Sequence, residues 1–189
     1  SGRLNLDPSA ADRAQDATTA QSHGSFDKWS GQVSHLMRWS KSSALYAGLS
    51  GQATNKNLDS SEKFTLGGPQ GVRAYPTGEA SGDEGWLLNL EWRSEIDRQW
   101  GWVAFVDHGS IGVHHTPWAG WNAATPTLDN HYTLSGVGAS VVWTPAPGRQ
   151  VTATLATRLG ENPARDAAGQ DSDSRSPQPR LWLTGSLTF

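Results

Sequence analysis

The chain has no cysteine in its 189 residues, which excludes disulfide frameworks and thiolate metal sites. It also has no run approaching the roughly 18 to 20 apolar residues that a membrane helix needs. Apolar residues make up 35% of the sequence and the mean hydropathy is −0.56, values that by themselves describe a protein in water. A transmembrane barrel escapes that inference, because it alternates apolar and polar residues and averages out as hydrophilic. The net charge of −3 gives no basic footprint, so nucleic acid is not an expected partner. The start, Ser1-Gly2-Arg3, lacks the charged and apolar stretches of an export signal. For a membrane barrel, that creates the expectation of a longer precursor with its signal upstream. The excess is in tryptophan: ten, against four Phe and three Tyr. Tryptophan is favoured where a ring sits half in hydrocarbon and half in water.

Strict alternation is the main pattern, and it predicts strands with one oily and one polar face. In 86–97, Trp86, Leu88, Leu90, Trp92 and Ile96 alternate with Asn89, Glu91, Arg93, Glu95 and Asp97. Trp100, Trp102, Ala104 and Val106 follow on one side, with Asp107 on the other. Segments 28–39, 44–53, 137–143, 150–159 and 180–189 repeat the pattern, and a truncated first strand is expected around Arg3 to Asp7. That makes eight strands. Long polar connections at 8–25, 54–85, 109–130 and 160–179 alternate with tight turns at Ser40–Ser42, Arg98 and Ala146–Gly148. Outer-membrane barrels keep such an order, with long loops outside and short turns in the periplasm. On this reading 8–25 and 160–179 are mobile external loops. Trp29 and Trp39 share one face of one strand, about 25 Å apart along the membrane normal, which matches the height of the apolar band. The plainer alternative is a soluble, Trp-rich, sugar-binding β-sandwich in which these tryptophans are core.

One connection is unusual. Leu66-Gly67-Gly68-Pro69-Gln70-Gly71-Val72-Arg73-Ala74-Tyr75-Pro76 places a lone positive charge between Val72 and Tyr75. Such a loop packs against something rather than waving in water; the alternative is a surface loop with a solvated arginine. By alternation Asp107, Glu91 and Arg93 share the polar face, so Asp107 can pair with a neighbouring strand, for instance with Arg93. His108, His114 and His115 invite a metal reading, but adjacent side chains on a strand point opposite ways. No metal, cofactor or catalytic centre is expected. Trp118 and Trp121 read as ordinary loop packing, with stacking on sugars or headgroups as the alternative.

The stretch Leu66–Gly85, followed by Leu87-Leu88-Asn89-Leu90-Glu91-Trp92-Arg93, resembles the signature of two-partner secretion transporters, the hemolysin secretion/activation (TpsB) family. The family loop usually reads V-R-G-Y; here Val72-Arg73-Ala74-Tyr75 departs at one residue. A second family motif, F-x-D-x-G, is matched by Phe105-Val106-Asp107-His108-Gly109. Phe189, preceded by Leu187, Leu183 and Leu181, resembles the C-terminal signal read by the barrel-assembly machinery. The resemblance runs from about residue 26 to the end. It implies a sixteen-stranded antiparallel transmembrane β-barrel, of which 1–189 would be the C-terminal half, without its two POTRA domains, plug helix or signal peptide. It further implies a loop folded into the lumen with Arg73 paired to Asp107, while Val72, Tyr75 and Phe105 pack it and Glu91 and Arg93 supply further lumen charge. The implied partners are a secreted TpsA-type protein, outer-membrane lipid and the assembly machinery. A barrel-assembly member of the same superfamily is the second functional reading.

Overall fold

The computed structural model describes residues 1–4, 10–125, 127–175 and 179–188. The chain begins with a ribbon of β1 (Gly2–Leu4) against β2 (Gly24–Phe26), on either side of a helix, α1 (Ala10–Thr18). There follow β3 (Lys28–Arg38), β4 (Ser43–Thr54), β5 (Phe64–Thr65), β6 (Ser81–Gly82), β7 (Glu84–Glu95), β8 (Trp100–Gly112), β9 (His131–Ala146), β10 (Arg149–Arg158) and β11 (Arg180–Leu187). Seven of them make one sheet in the order β11-β10-β9-β8-β7-β4-β3, and every neighbouring pair is antiparallel. β5 and β6 form a separate two-stranded ribbon. The protein is all-β and antiparallel.

Two expectations change at the N-terminus. The described part of the expected first strand pairs locally with Gly24–Phe26 instead of extending the large sheet; residues 5–7 lie outside the described residues. The stretch expected as an open loop contains α1, whose Ala10, Ala11, Ala14 and Ala17 favour a helix over coil.

Because side chains alternate with a period of two, register decides what each face of the sheet carries. Leu45 stands opposite Met37 and Trp92; Val106 stands opposite Leu90 and Val137; Ala153 stands opposite Val141 and Leu183. One face is therefore apolar from edge to edge, and it is uncovered: Trp92 is 50% and Leu183 75% exposed. A sandwich needs that face enclosed by a second sheet, and among the described residues none covers it. Trp39, Trp100, Trp102 and Trp143 lie toward the short turns, with Trp100 and Trp143 stacked at 5.8 Å, while Trp29 and Trp86 lie toward the long connections.

The buried core lies on the other face. Leu66, Val72, Ala74, Tyr75 and Ala80 of the connection between β4 and β7 pack on Leu87, Phe105, Ile111, Leu134 and Ala156 of the sheet. The sheet buries its polar side against one of its own loops.

Candidate functional site

The loop that supplies this core is folded by its own backbone. Leu66 and Gly67 donate to the carbonyls of Ala80 and Glu79, and Gly68 donates to Tyr75, so the two limbs pair. The Tyr75 N–H reaches the Val72 carbonyl at 3.1 Å, closing Val72-Arg73-Ala74-Tyr75 into a four-residue β-turn. The limbs cross so closely that a Cβ on Gly71 would lie 1.9 Å from the Leu66 carbonyl oxygen. Ala74 is not among the described residues with positive φ, so alanine serves where the family has glycine. The turn rests on the wall at Gly136, whose missing side chain makes room for Ala74.

The turn presents Arg73 to a carboxylate fork. Its Nε and Nη2 donate to the two oxygens of Asp107 at 2.9 and 2.7 Å, and its backbone N–H donates to Asp107 at 3.0 Å. Nη1 donates to Glu91 at 2.8 Å. The guanidinium carbon stands over the Phe105 ring, 3.5 Å from its centre, a cation–π contact. Asn89 donates to Asp107 at 2.7 Å and reaches back to the Gly71 carbonyl at 3.3 Å. Burial alone would depress the Arg73 guanidinium, but Asp107 and then Glu91 outweigh it and hold its pKa above the ordinary arginine value. Register sets the assembly: Asn89 and Glu91 stand beside Asp107 and Phe105 on the same polar face. Asp107 is 0% exposed, so the pair is shielded from the water that weakens surface ion pairs.

Arg93 does not reach Asp107. It pairs with Glu91 at 2.7 Å and lies over the Tyr46 ring, so Glu91 bridges two arginines. Tyr75 is buried beneath the Arg158 guanidinium, and burial raises its phenol pKa. Leu187 ends β11 and is exposed, and Phe189 lies outside the described residues. The three histidines are separated. His108 bonds Ser135 on the apolar face, His115 contacts Glu84, and His114 is wedged between Trp118 and Trp121. On the short-turn side of the loop an open concavity of about 900 Å³ is lined by Tyr46, Glu91, Arg93, Glu95, Thr152 and Thr184.

Several residues of the site escape sequence reasoning. Trp182 points to the polar face, opposite Leu181 and Leu183, and its indole N–H donates to the Arg73 carbonyl at 2.7 Å; a tryptophan out of phase with the oily set is the signal that finds it. Asp83, fully buried, accepts from the Leu58 and His115 N–H groups and pairs with Lys63 at 3.1 Å, tying the loop to the connection after β8. Glu79 and Asp171 are buried across the 160–175 connection. That stretch is therefore fastened, not the mobile loop its composition suggests, because its polar residues have charged partners on the sheet and on the Arg73 loop.

The described sheet thus carries an uncovered apolar face on one side and a docked arginine loop on its polar side. Residues 3–128 match the model of the family described as Haemolysin secretion/activation protein ShlB/FhaC/HecB, and the chain belongs to that family of two-partner secretion transporters. The heme/hemopexin transporter protein HuxB of Haemophilus influenzae strain 86-028NP is 31% identical over 173 residues, covering 89% of this chain and 28% of its own length. HuxB of the Rd strain is 42% identical over 73 residues, covering 39% of this chain and 13% of its own. The chain thus spans less than a third of the relatives it matches.

Proposed function

We propose that this chain is part of the wall, together with the internal loop, of an outer-membrane pore that passes an unfolded partner protein from the periplasm to the cell surface. The reading rests most on one observation: Arg73 is forked onto Asp107 and Glu91 on the polar face, while the opposite face is a continuous oily surface. The oily face meets lipid and the polar face meets the aqueous passage. Strands β3 and β11 have open edges among the described residues; the remaining barrel strands continue from them, with POTRA domains on the periplasmic side to receive the partner. No bond is made or broken, so partner folding outside supplies the direction of travel. HuxB is named a heme/hemopexin transporter, which makes a haem-acquisition protein the first partner to test.

The loop is a gate held by charge. Removing one member of a buried ion pair costs about 3–5 kcal/mol, because the other charge stays buried. At about 1.4 kcal/mol per factor of ten, the docked-to-undocked ratio falls by about two to three and a half orders of magnitude. Secretion on this reading needs the loop docked when the partner arrives, so Arg73→Ala in the full-length transporter should stop partner secretion while the heat-modifiable mobility of the inserted barrel persists. Arg73→Lys keeps the charge but loses the fork, and should secrete at an intermediate rate. Secretion of Arg73→Ala at the wild-type rate contradicts the assignment.

A further inference from the structure

We propose that residues 159–175, in the connection between β10 and β11, form a latch that positions the Arg73 loop from the outer side, with Glu79 and Asp171 as the positioning residues. The inference rests on reading the Arg73 loop as the gate, and it adds a second fastening to that gate. Glu79 sits on the returning limb of the loop and is 2% exposed. One of its oxygens accepts from Asn162 at 2.7 Å and the other from the Ser172 N–H at 2.8 Å. Both donors belong to the latch. Asn162 also donates to Asp171 at 3.1 Å, so the two carboxylates are joined through one amide.

Asp171 is ringed by cations, two from the sheet and one from the latch itself. Arg158, at the end of β10, donates to it; Arg180, at the start of β11, donates at 3.2 Å; Arg165 stands 3.7 Å away. Arg180 also pairs with Asp173 at 2.8 Å. The latch therefore reaches both strands that it joins. It also reaches the gate twice, because Arg158 lies 4.8 Å from the centre of the Tyr75 ring and the neighbour of Arg180, Trp182, holds the Arg73 carbonyl.

The kind of contact matters as much as its place. In 159–175 the buried side chains are Asn162 and Asp171, so this stretch is held down by hydrogen bonds and charge with no apolar anchor. A contact of that kind opens without exposing oily surface, yet while closed it leaves buried carboxylates that are costly to unpair. Arg73 grips the wall and Glu79 grips the latch, so the loop moves only when both release.

The test uses the full-length transporter, in intact cells and reconstituted in planar lipid bilayers. Glu79→Gln puts an amide N–H against a donor. We expect normal heat-modifiable mobility, trypsin cleavage after Arg165 and Arg175 on intact cells faster by about tenfold, and closed-state lifetimes of the pore shortened as in Arg73→Ala. Unchanged cleavage overturns the latch. So does faster cleavage with wild-type lifetimes, which is the result for a loop that merely shields the surface. If Arg73→Ala and Glu79→Gln both leave the lifetimes unchanged, the gate reading falls and the latch with it; if Arg73→Ala alone shortens them, the latch alone falls. Should Glu79→Gln fail to insert, Asn162→Ser removes the amide that joins Glu79 to Asp171 and is judged by the same readings.

Discussion

At the scale of single residues, the molecule is held by charges kept away from water. Arg73 was legible because a lone cation between Val72 and Tyr75 in a glycine-rich loop has few reasons to be solvated, and Asp107 because alternation assigns its face. Glu79, Asn162 and Asp171 were not. Asn162 lies 83 residues from the carboxylate it meets, and a stretch of Asp, Ser and Pro carries no local mark of such a partner. His114 gives a prediction of its own. Burial first, and then the charge of Lys63, push its pKa from 6.5 down to about 4. A base whose folded pKa is depressed binds its proton more readily when unfolded, so the connection after β8 loses stability as pH falls from 6.5 toward about 4 and no further below that. Hydrogen exchange of 113–122, corrected for intrinsic rates, should rise across this window, and His114→Phe should flatten the rise. An exchange rate that is level with pH contradicts the packing described for His114.

At the scale of elements, a period of two made the strands readable, since a slip of one residue would turn every oily side chain inward. Where the loop touches the wall was not readable, because that depends on which glycine faces which turn. Gly136 is the seat: a Cβ there would lie 2.7 Å from the Ala74 Cβ and 3.4 Å from Val72 Cγ1. Gly136→Leu should unseat the loop and reproduce the Arg73→Ala secretion defect with the barrel still inserted. Gly31, with nothing within 4 Å of its added Cβ, is the control. Gly31→Ala should change stability by less than about 0.5 kcal/mol in chemical unfolding. Wild-type secretion by Gly136→Leu would remove the seat from the account. The helix α1 and the β1–β2 ribbon escaped prediction for a related reason. The large sheet leaves the N-terminal stretch free to satisfy its own backbone locally, and no alternation marks such short pieces.

At the scale of the whole molecule, the sheet leaves one face apolar and uncovered among the described residues, and its core is the contact between the other face and its own loop. Composition hides this, because apolar and polar residues cancel in the average; spacing reveals it. The central claim is that the even and odd positions of one strand meet different solvents, and the chain's lack of cysteine means that introduced thiols report on it with no background from these residues. The most direct measurement is labelling of single-cysteine variants of the full-length protein in outer membranes with a charged, water-soluble thiol reagent. Leu90→Cys and Trp92→Cys should resist the reagent, and Arg93→Cys and Glu95→Cys should react. Equal reaction on the two faces would contradict the account.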